Sequence, residues 1–426
     1  MKQVSLTTIS SLLLMCGSVA YPSFSYADSL QSVIEKTLQT NPEVQASFSN
    51  VQARQQQLEQ AKSGYYPTID LQAGVGRESS ENISTGFAEK KLTRQELRLE
   101  LRQNVFEGFG TQSKVAQQRA FVDSAGSMLA DDKNEIALRV AQTYINVIRN
   151  RRVVALAEEF VKNHQSIYKR IEKRSVSGVG RKSERVHAEG RLSQARSNLI
   201  NARANLDESN IVYLSVVGEM PPENMLLPEK NAISESLEAA IKLAKKNNPS
   251  IAIANANVEA AMQGRNISNS DFYPELDVVL SGTRNDDIDG IEGNDDDQTI
   301  MLQLKYNIFK GGSDSARKSQ TSYELARSKY VRDNAYRLIE QKTRSAWNEL
   351  QSRTRQMQDL KKHMDSSIKT RNVYTDQYRI GKRTLLDLLD TENELFNARV
   401  NYENSLHIKV AAQYKLLAHM GELVGI

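Results

Sequence analysis

Two patterns of apolar and polar positions alternate along this chain, and they predict two kinds of element. Ile69, Leu71, Ala73 and Val75 alternate with Asp70, Gln72, Gly74 and Gly76, and Leu97, Leu99 and Leu101 alternate with Arg98, Glu100 and Arg102. Period two marks a strand with one apolar and one polar face. The alternation returns in Leu276, Val278 and Leu280 against Asp277 and Ser281, and in Ile300, Leu302, Leu304 and Tyr306 against Gln303, Lys305 and Asn307. Each strand is expected to hold about 10 residues, the length that crosses a bilayer when tilted. After each strand pair the period changes. Over 111–175 no strong breaker occurs, and apolar or aromatic residues recur at sevens: Val140, Val147, Val154, Val161 and Tyr168. At about 1.5 Å per residue such a helix extends roughly 100 Å, and a seven-residue period implies helices packed side by side. Ser177-Gly178-Val179-Gly180 breaks it, so a second helix over 181–217 must return antiparallel. The pattern recurs with a helix over 313–379, a turn at Gly381 and a return over 384–419 with Leu388, Leu395 and Tyr402 at sevens. Shorter helices are expected over 29–64 and 235–270, each interrupted near its start by Asn-Pro.

The recurrence is a duplication. Ser29-Leu30, Asn41-Pro42 and Tyr66-Pro67 return as Ser236-Leu237, Asn248-Pro249 and Tyr273-Pro274, shifted by 207. Asn104-Val105-Phe106-x-Gly108, Gly178 and Ala195-Arg196 return as Asn307-Ile308-Phe309-x-Gly311, Gly381 and Ala398-Arg399, shifted by 203. The change of register by four residues is expected in a surface loop between the two sets. A repeat this long is a duplicated structural half rather than a solenoid unit. The organisation expected is a signal peptide over 1–27, a first repeat over 28–220, a linker over 221–235 and a second repeat over 236–426.

The signal reading rests on Lys2, the apolar run from Leu6 to Val19 and the small residues of Ser25-Tyr26-Ala27, and it places the mature start at Asp28. Cys16, the one cysteine, falls inside that run, so cleavage leaves neither disulfide nor thiol chemistry; lipid attachment at Cys16 is the rival reading, disfavoured by the bulk of Met15. Losing Lys2 lowers the formal net charge from +4 to +3, and no basic footprint for nucleic acid is visible. Beyond residue 27 no run of 18 apolar residues occurs, so a membrane can be crossed only by strands. Alternation alone fits a small soluble sheet equally well. Export, a charged opposite face and helices too long for a globule favour a membrane sheet. Strand edges cannot be left open in lipid, and four strands cannot close when the smallest membrane barrels hold about eight. Copies must therefore combine, two giving eight strands and three giving twelve, and the wider cylinder suits an open water path.

Asn-Pro in the first helix, Tyr-Pro before a strand, Asn-x-Phe-x-Gly leading into a long helix and the duplicated halves together resemble the TolC family of outer-membrane channel proteins, over essentially the whole mature chain. The most specific run is Tyr378-Arg379-Ile380-Gly381-Lys382-Arg383-Thr384-Leu385-Leu386-Asp387-Leu388-Leu389-Asp390. Its partner, Gly178-Val179-Gly180-Arg181-Lys182-Ser183-Glu184, followed by Ala188-Glu189-x-Arg191-Leu192, is similar to the branch that serves type I protein secretion. The resemblance implies an α+β membrane protein: a homotrimer whose 12-stranded outer-membrane β-barrel, four strands per chain, is continued by a long periplasmic α-helical coiled-coil barrel. It implies an outer-membrane exit channel of a tripartite export system serving type I protein secretion, a trans-periplasmic tunnel opened by adaptor docking, with a small-molecule or multidrug efflux pump as the alternative. The partners implied are a periplasmic membrane-fusion adaptor, an inner-membrane transporter of ABC type and outer-membrane lipid.

Asp387 and Asp390 lie three apart after the turn and share a helix face, which on its own reads as a solvated pair at a helix start. The resemblance makes them the periplasmic gate, where threefold symmetry gathers their carboxylates, attracts cations and raises the pKa of some of the set. It makes Tyr378, Arg383, Ser183 and Glu184 the contacts that lock the mouth, with Ser and Glu standing where the family commonly has Thr and Asp. It makes Gly178, Val179, Gly180, Gly381 and Lys382 the turns on which the adaptor docks.

The loop over 285–298 carries seven acidic residues and no basic one, and Asn285, Asp287, Asp289, Gly290 and Asp296 fall on a calcium-loop template. Asp in place of the bidentate Glu and strands on both flanks favour a solvated extracellular loop instead. The five histidines are scattered, and no metalloprotease, phosphate-loop or nucleophile-elbow motif occurs, so no enzyme, cofactor or metal site is expected. Trp347 and the tyrosines of the long helices read as packing residues. The rival of another class is a periplasmic coiled-coil adaptor or scaffold, which would share the signal and heptads but would not need the four alternating strands.

Overall fold

A computed structural model describes residues 29–228 and 234–424, so the signal segment and part of the linker lie outside the described residues. The breakers set the short helices. Helix α1 (Leu30–Thr40) starts at Ser29, whose hydroxyl accepts the Ser32 N–H, and stops at Asn41, held extended (ψ 127°) because a residue before proline avoids the helical region. The Asn41 side-chain oxygen then accepts the Glu43 N–H at 2.9 Å, and Pro42 takes the first position of α2 (Pro42–Lys62), where no N–H is needed. One interrupted helix is thus two capped ones. The second half repeats the device: Asn248 separates α5 (Leu237–Asn247) from α6 (Pro249–Ser270) and accepts from Ser250 N–H at 3.0 Å.

Strands β1 (Thr68–Ser80), β2 (Lys90–Phe106), β3 (Glu275–Asp286) and β4 (Asn294–Lys305) form one antiparallel sheet in sequence order. They hold 13, 17, 12 and 12 residues, longer than expected, because polar residues such as Glu78, Arg94 and Asp295 continue the ladders past the apolar stretches. The duplication is kept to the residue: Thr68 pairs with Arg102 and Ser79 with Lys91, while their counterparts pair as Glu275 with Lys305 and Asp286 with Asn294. The four-residue change of register therefore lies wholly at the hairpin tip, in the loop where it is expected. One element departs from expectation. Strand β4 ends at Lys305, so Tyr306 and Asn307 lie beyond it, whereas their counterparts Gln103 and Asn104 stay in β2 because β3 pairs with them.

Cross-strand pairing puts Ile69, Leu71, Leu99, Leu101, Leu280, Ile300, Leu302 and Leu304 on one face, where Ile69 is 66% and Leu302 68% exposed. The other face carries an ionic ladder: Arg98 to Glu100 at 2.6 Å, Glu100 to Arg102 at 3.1 Å and Arg102 to Asp277 at 3.2 Å. A sheet wet and charged on one side and apolar on the other, with the apolar side uncovered, suits a lipid boundary.

The long helices match between halves: α3 (Gly110–Val176) and α7 (Ser313–Arg379) have 67 residues, and α4 (Lys182–Val217) and α8 (Leu385–Met420) have 36. The core lies around mid-α3, where Val140, Tyr144 and Val147 pack with Leu30, Val33, Tyr213, Leu416 and Met420, and Trp347 packs against it. Farther along α3 the heptad valines leave the interior. Val154, Val161 and Tyr168 are half-buried, and the buried line passes to Ala157, Phe160, His164, Ile167 and Ile171. A helix drifts about 20° per heptad unless it supercoils, so a strict seven-residue line cannot stay inward. Tyr323 and Tyr330 on α7 are 77% and 73% exposed, which corrects the packing role expected of them within one chain.

Candidate functional site: the paired hairpin tips

Both long hairpins turn on a glycine in the left-handed region, Gly178 at φ 78° and Gly381 at φ 76°, where a Cβ would be strained. The Val179 and Gly180 N–H groups donate to the Arg174 carbonyl at 3.1 and 2.8 Å, and Lys382 N–H donates to the Gln377 carbonyl at 2.8 Å. These bonds satisfy the last carbonyls of each long helix. Gly180 has its own reason to be glycine, since a Cβ there would sit 3.1 Å from the Arg174 carbonyl carbon. Val176, Val179 and Ile380 project from the turns into solvent.

Behind the turns an apolar plug joins α3, α4 and α8. Leu385, Leu388 and Leu389 pack with Ile167, Ile171 and Ala188, and Tyr168 and Tyr378 cover its edge. Burial pushes the Tyr378 phenol up, an effect the nearby Arg174 charge reduces. A cavity of about 490 Å³ between the tips is lined by Arg174, Val179, Ser183, Glu184, Tyr378 and Arg383, among others. The four lock residues expected from sequence are thus brought together, but Arg383 does not reach across. Its Nε donates to Gln377 Oε1 at 3.0 Å and its guanidinium lies 4.2 Å from the centre of the Tyr374 ring. Those partners sit on its own hairpin, so contact with them orders less chain than a bridge to α4 would.

The two aspartates do different things. Asp387 completes a capping box: it accepts from Thr384 N–H at 3.0 Å and from the Thr384 hydroxyl at 2.9 Å, while Asp387 N–H donates back to Thr384 Oγ1 at 3.2 Å. The Thr384 bonds hold its carboxyl below the usual range, so within one chain the direction is opposite to that expected of a crowded set. Asp390 pairs with Arg191 of α4 at 2.7 Å. That exposed pair links the halves weakly, by about 0 to 1 kcal/mol. Two residues on, Glu392 is buried and meets Asn163 at 3.2 Å and Arg371 at 3.5 Å. Beside them His164 is buried with no hydrogen-bond partner on either ring nitrogen among the described residues, and burial, then the Arg191 charge, pushes it down to about 4. Gln377, Tyr374 and His164 escape sequence reasoning because nothing local marks them. Arg191 does sit in the quoted Ala188-Glu189-x-Arg191-Leu192 run, yet its pairing with Asp390 spans 199 positions.

At the other end, much of the acidic stretch is strand: β3 reaches Asp286 and β4 resumes at Asn294. Asp287 closes the turn by accepting Gly293 N–H at 3.0 Å, and Asp289 pairs with Arg94 at 3.4 Å. Among the described residues no three His, Cys, Asp or Glu side chains converge to hold a metal, and no helix is long and apolar enough to cross a membrane.

The family model described as outer membrane efflux protein matches residues 33–218 and 240–422, one match per half. Outer membrane efflux protein BepC of Brucella suis is 23% identical over 97% of this chain and 90% of its own length. Outer membrane protein TolC of Escherichia coli is 21% identical over 95% of this chain and 84% of its own. The crystal structure of the outer membrane protein VceC of Vibrio cholerae superposes with a TM-score of 0.81 at 15% identity, covering 92% of this chain and 96% of that one. Relatives named for protease secretion match as well, so the expected type I branch is not singled out, and the names favour efflux over it. Such proteins work with a periplasmic adaptor and an inner-membrane transporter. The chain belongs to the outer membrane efflux protein family: a TolC-like, non-catalytic outer-membrane channel with a periplasmic helical extension, part of a tripartite transport system.

Proposed function

We propose that the chain is the outer-membrane duct of a small-molecule efflux pump, assembled as a homotrimer whose three sheets of four strands close a 12-stranded barrel. The observation that carries the cargo assignment is the efflux family match in both halves. The trimer is supported by two sheet edges, β1 and β4, left unpaired among the described residues beside an apolar face those residues leave uncovered, since open edges are excluded from lipid. At the tips, Asp387 and Asp390 of three copies converge on the axis and make the mouth cation-selective. Tyr378, Ser183 and Glu184, gathered on one cavity, hold it closed, with Arg383 acting through Gln377 and Tyr374 of its own hairpin. The exposed turns at Gly178, Val179, Gly180, Gly381 and Lys382 receive the adaptor. Type I protein secretion with an ABC-type transporter remains the second reading, on the Gly178–Glu184 run and the relatives named for protease secretion.

Deleting the gene is expected to raise dye and drug accumulation while leaving the secreted proteome unchanged; loss of one secreted protein with normal drug efflux would reverse the cargo assignment. In planar bilayers, Tyr378→Phe with Arg383→Ser is expected to raise single-channel conductance severalfold, and unchanged conductance would remove both residues from the gate.

A further inference from the structure

Midway along the helical body, α3 and α8 enclose a cavity far from the hairpin tips. Gln142, Asn146 and Arg149 stand on one face of α3 at spacings of four and three, and His407 and Ala411 stand four apart on α8, so helix faces from opposite halves line one hollow of about 250 Å³. Ile145 and Ile408 form its apolar wall, and no acidic side chain lines it among the described residues. A concave surface that joins an apolar wall to a few polar groups is the usual form of a small-molecule site.

Two of those polar groups are left unpaired. His407 is 2% exposed, and its Nδ1 lies 2.7 Å from the Glu403 carbonyl oxygen; that oxygen can only accept, so the ring proton sits on Nδ1 and Nε2 keeps its lone pair. Nε2 is buried with no hydrogen-bond partner among the described residues, and so is Arg149 Nε. The Arg149 guanidinium makes one long bond, Nη2 to Asn150 Oδ1 at 3.4 Å, and no carboxylate pairs with it among the described residues. The charges facing the ring are Glu403 on α8, 3.7 Å from Nδ1, and Arg149 and Arg152 on α3. Burial pushes the imidazole down, Glu403 opposing and the two arginines adding, so the ring is neutral at pH 7. An unpaired buried cation and an unpaired buried lone pair each cost free energy that a ligand can return. The duplication shows that packing alone does not require this set. Under the offset of 203, Arg149, Asn146 and His407 correspond to Ser352, Glu349 and Ala204, and Ala411 corresponds to Glu208. The cation and the ring therefore belong to one half-to-half junction only.

We infer that this cavity binds a small organic acid with an apolar body, an aryl or short alkyl carboxylate whose charged end meets Arg149 and His407 Nε2 and whose hydrocarbon end lies along Ile145 and Ile408. The acid enters as the carboxylate, and one proton follows it from solvent onto Nε2. The ring then donates where it had accepted, and imidazolium and guanidinium hold the carboxylate by charge-assisted bonds. Gln142 and Asn146 add amide groups at the rim. A cationic ligand is repelled by Arg149 and Arg152, and a neutral one leaves the guanidinium unpaired. The site holds whichever cargo the duct carries, so its failure would leave the efflux reading untouched.

Titration calorimetry on the full-length protein in mild detergent at pH 6 tests the site, with benzoate as the probe and benzamide, benzylamine and inorganic phosphate as controls. Benzoate is expected to bind at least about tenfold more tightly than any control, since each control lacks either the carboxylate or the apolar body. Equal binding of benzamide overturns the role of charge, equal binding of phosphate overturns the apolar wall, and no binding of benzoate overturns the site. Arg149→Gln is expected to weaken benzoate about tenfold or more and Arg149→Lys, which keeps the charge, by less. Equal losses in the two, with melting temperatures unchanged, remove the guanidinium from the site. Repeating the titration in buffers of different ionisation enthalpy counts the proton. Uptake is expected on binding to the unaltered protein and is expected to vanish in His407→Gln; uptake that persists in that variant, or is absent from the start, removes His407 Nε2 as its acceptor.

Discussion

The two hairpin tips share a glycine turn and differ in the helix that leaves it. Helix α8 opens with Leu385, Leu388 and Leu389, all buried in the plug, under a capping box built by Thr384 and Asp387. Helix α4 opens at the corresponding places with Lys182, Arg185 and Val186, and the Arg181 side chain makes no capping bond to its first turn. Val186 is 57% exposed where Leu389 is fully buried. Duplication therefore kept the turn and divided the labour: α8 is the wedge that holds the tips together, and α4 is the looser arm.

The largest effect expected is at the wedge. Leu389→Ala leaves a cavity at the centre of the plug and should cost about 2 to 5 kcal/mol, whereas Val186→Ala should cost under about 0.5 kcal/mol. Urea unfolding of the two variants measures the contrast, and equal losses would erase the asymmetry. Next comes acid. His164 is neutral when folded, with its pKa pushed from 6.5 to about 4, so the unfolded chain binds the proton first. Its contribution is whole above pH 6.5 and is lost as pH falls toward 4, by roughly 3 kcal/mol at most. Comparing wild type with His164→Leu at pH 7 and pH 4.5 should show the acid loss reduced in the variant. The Thr384 bonds to Asp387 act in a separate window, below the ordinary carboxylate pKa, because that shift is downward. The smallest effects belong to the caps. Thr384→Ala should cost about 1 kcal/mol. Arg181→Thr would complete a capping box with Glu184, already in place three residues on, and should stabilise α4 by about 0.5 kcal/mol. Hydrogen exchange at the first turns of α4 and α8 reads both changes.

Much of the fold is written in local patterns. Ser313–Arg379 is bounded to the residue because Gly312 and Gly381 flank a breaker-free tract, and Asn41-Pro42 and Asn248-Pro249 mark two helix starts. Strand ends are less legible, since Glu78, Arg94 and Asp295 belong to ladders by pairing and not by hydrophobicity. At the tips, the residues singled out from sequence line one cavity, but nothing local shows that Arg383 turns to Gln377 and Tyr374 of its own hairpin. The roles of His164 and Arg191 are hidden for a different reason: their neighbours come from distant segments, and no spacing along the chain reports them.

The most direct test of the account is the mass and conductance of the protein purified in mild detergent and reconstituted into a planar bilayer. A trimer that conducts cations in preference to anions is the result predicted; a monomer that forms no pore would contradict it.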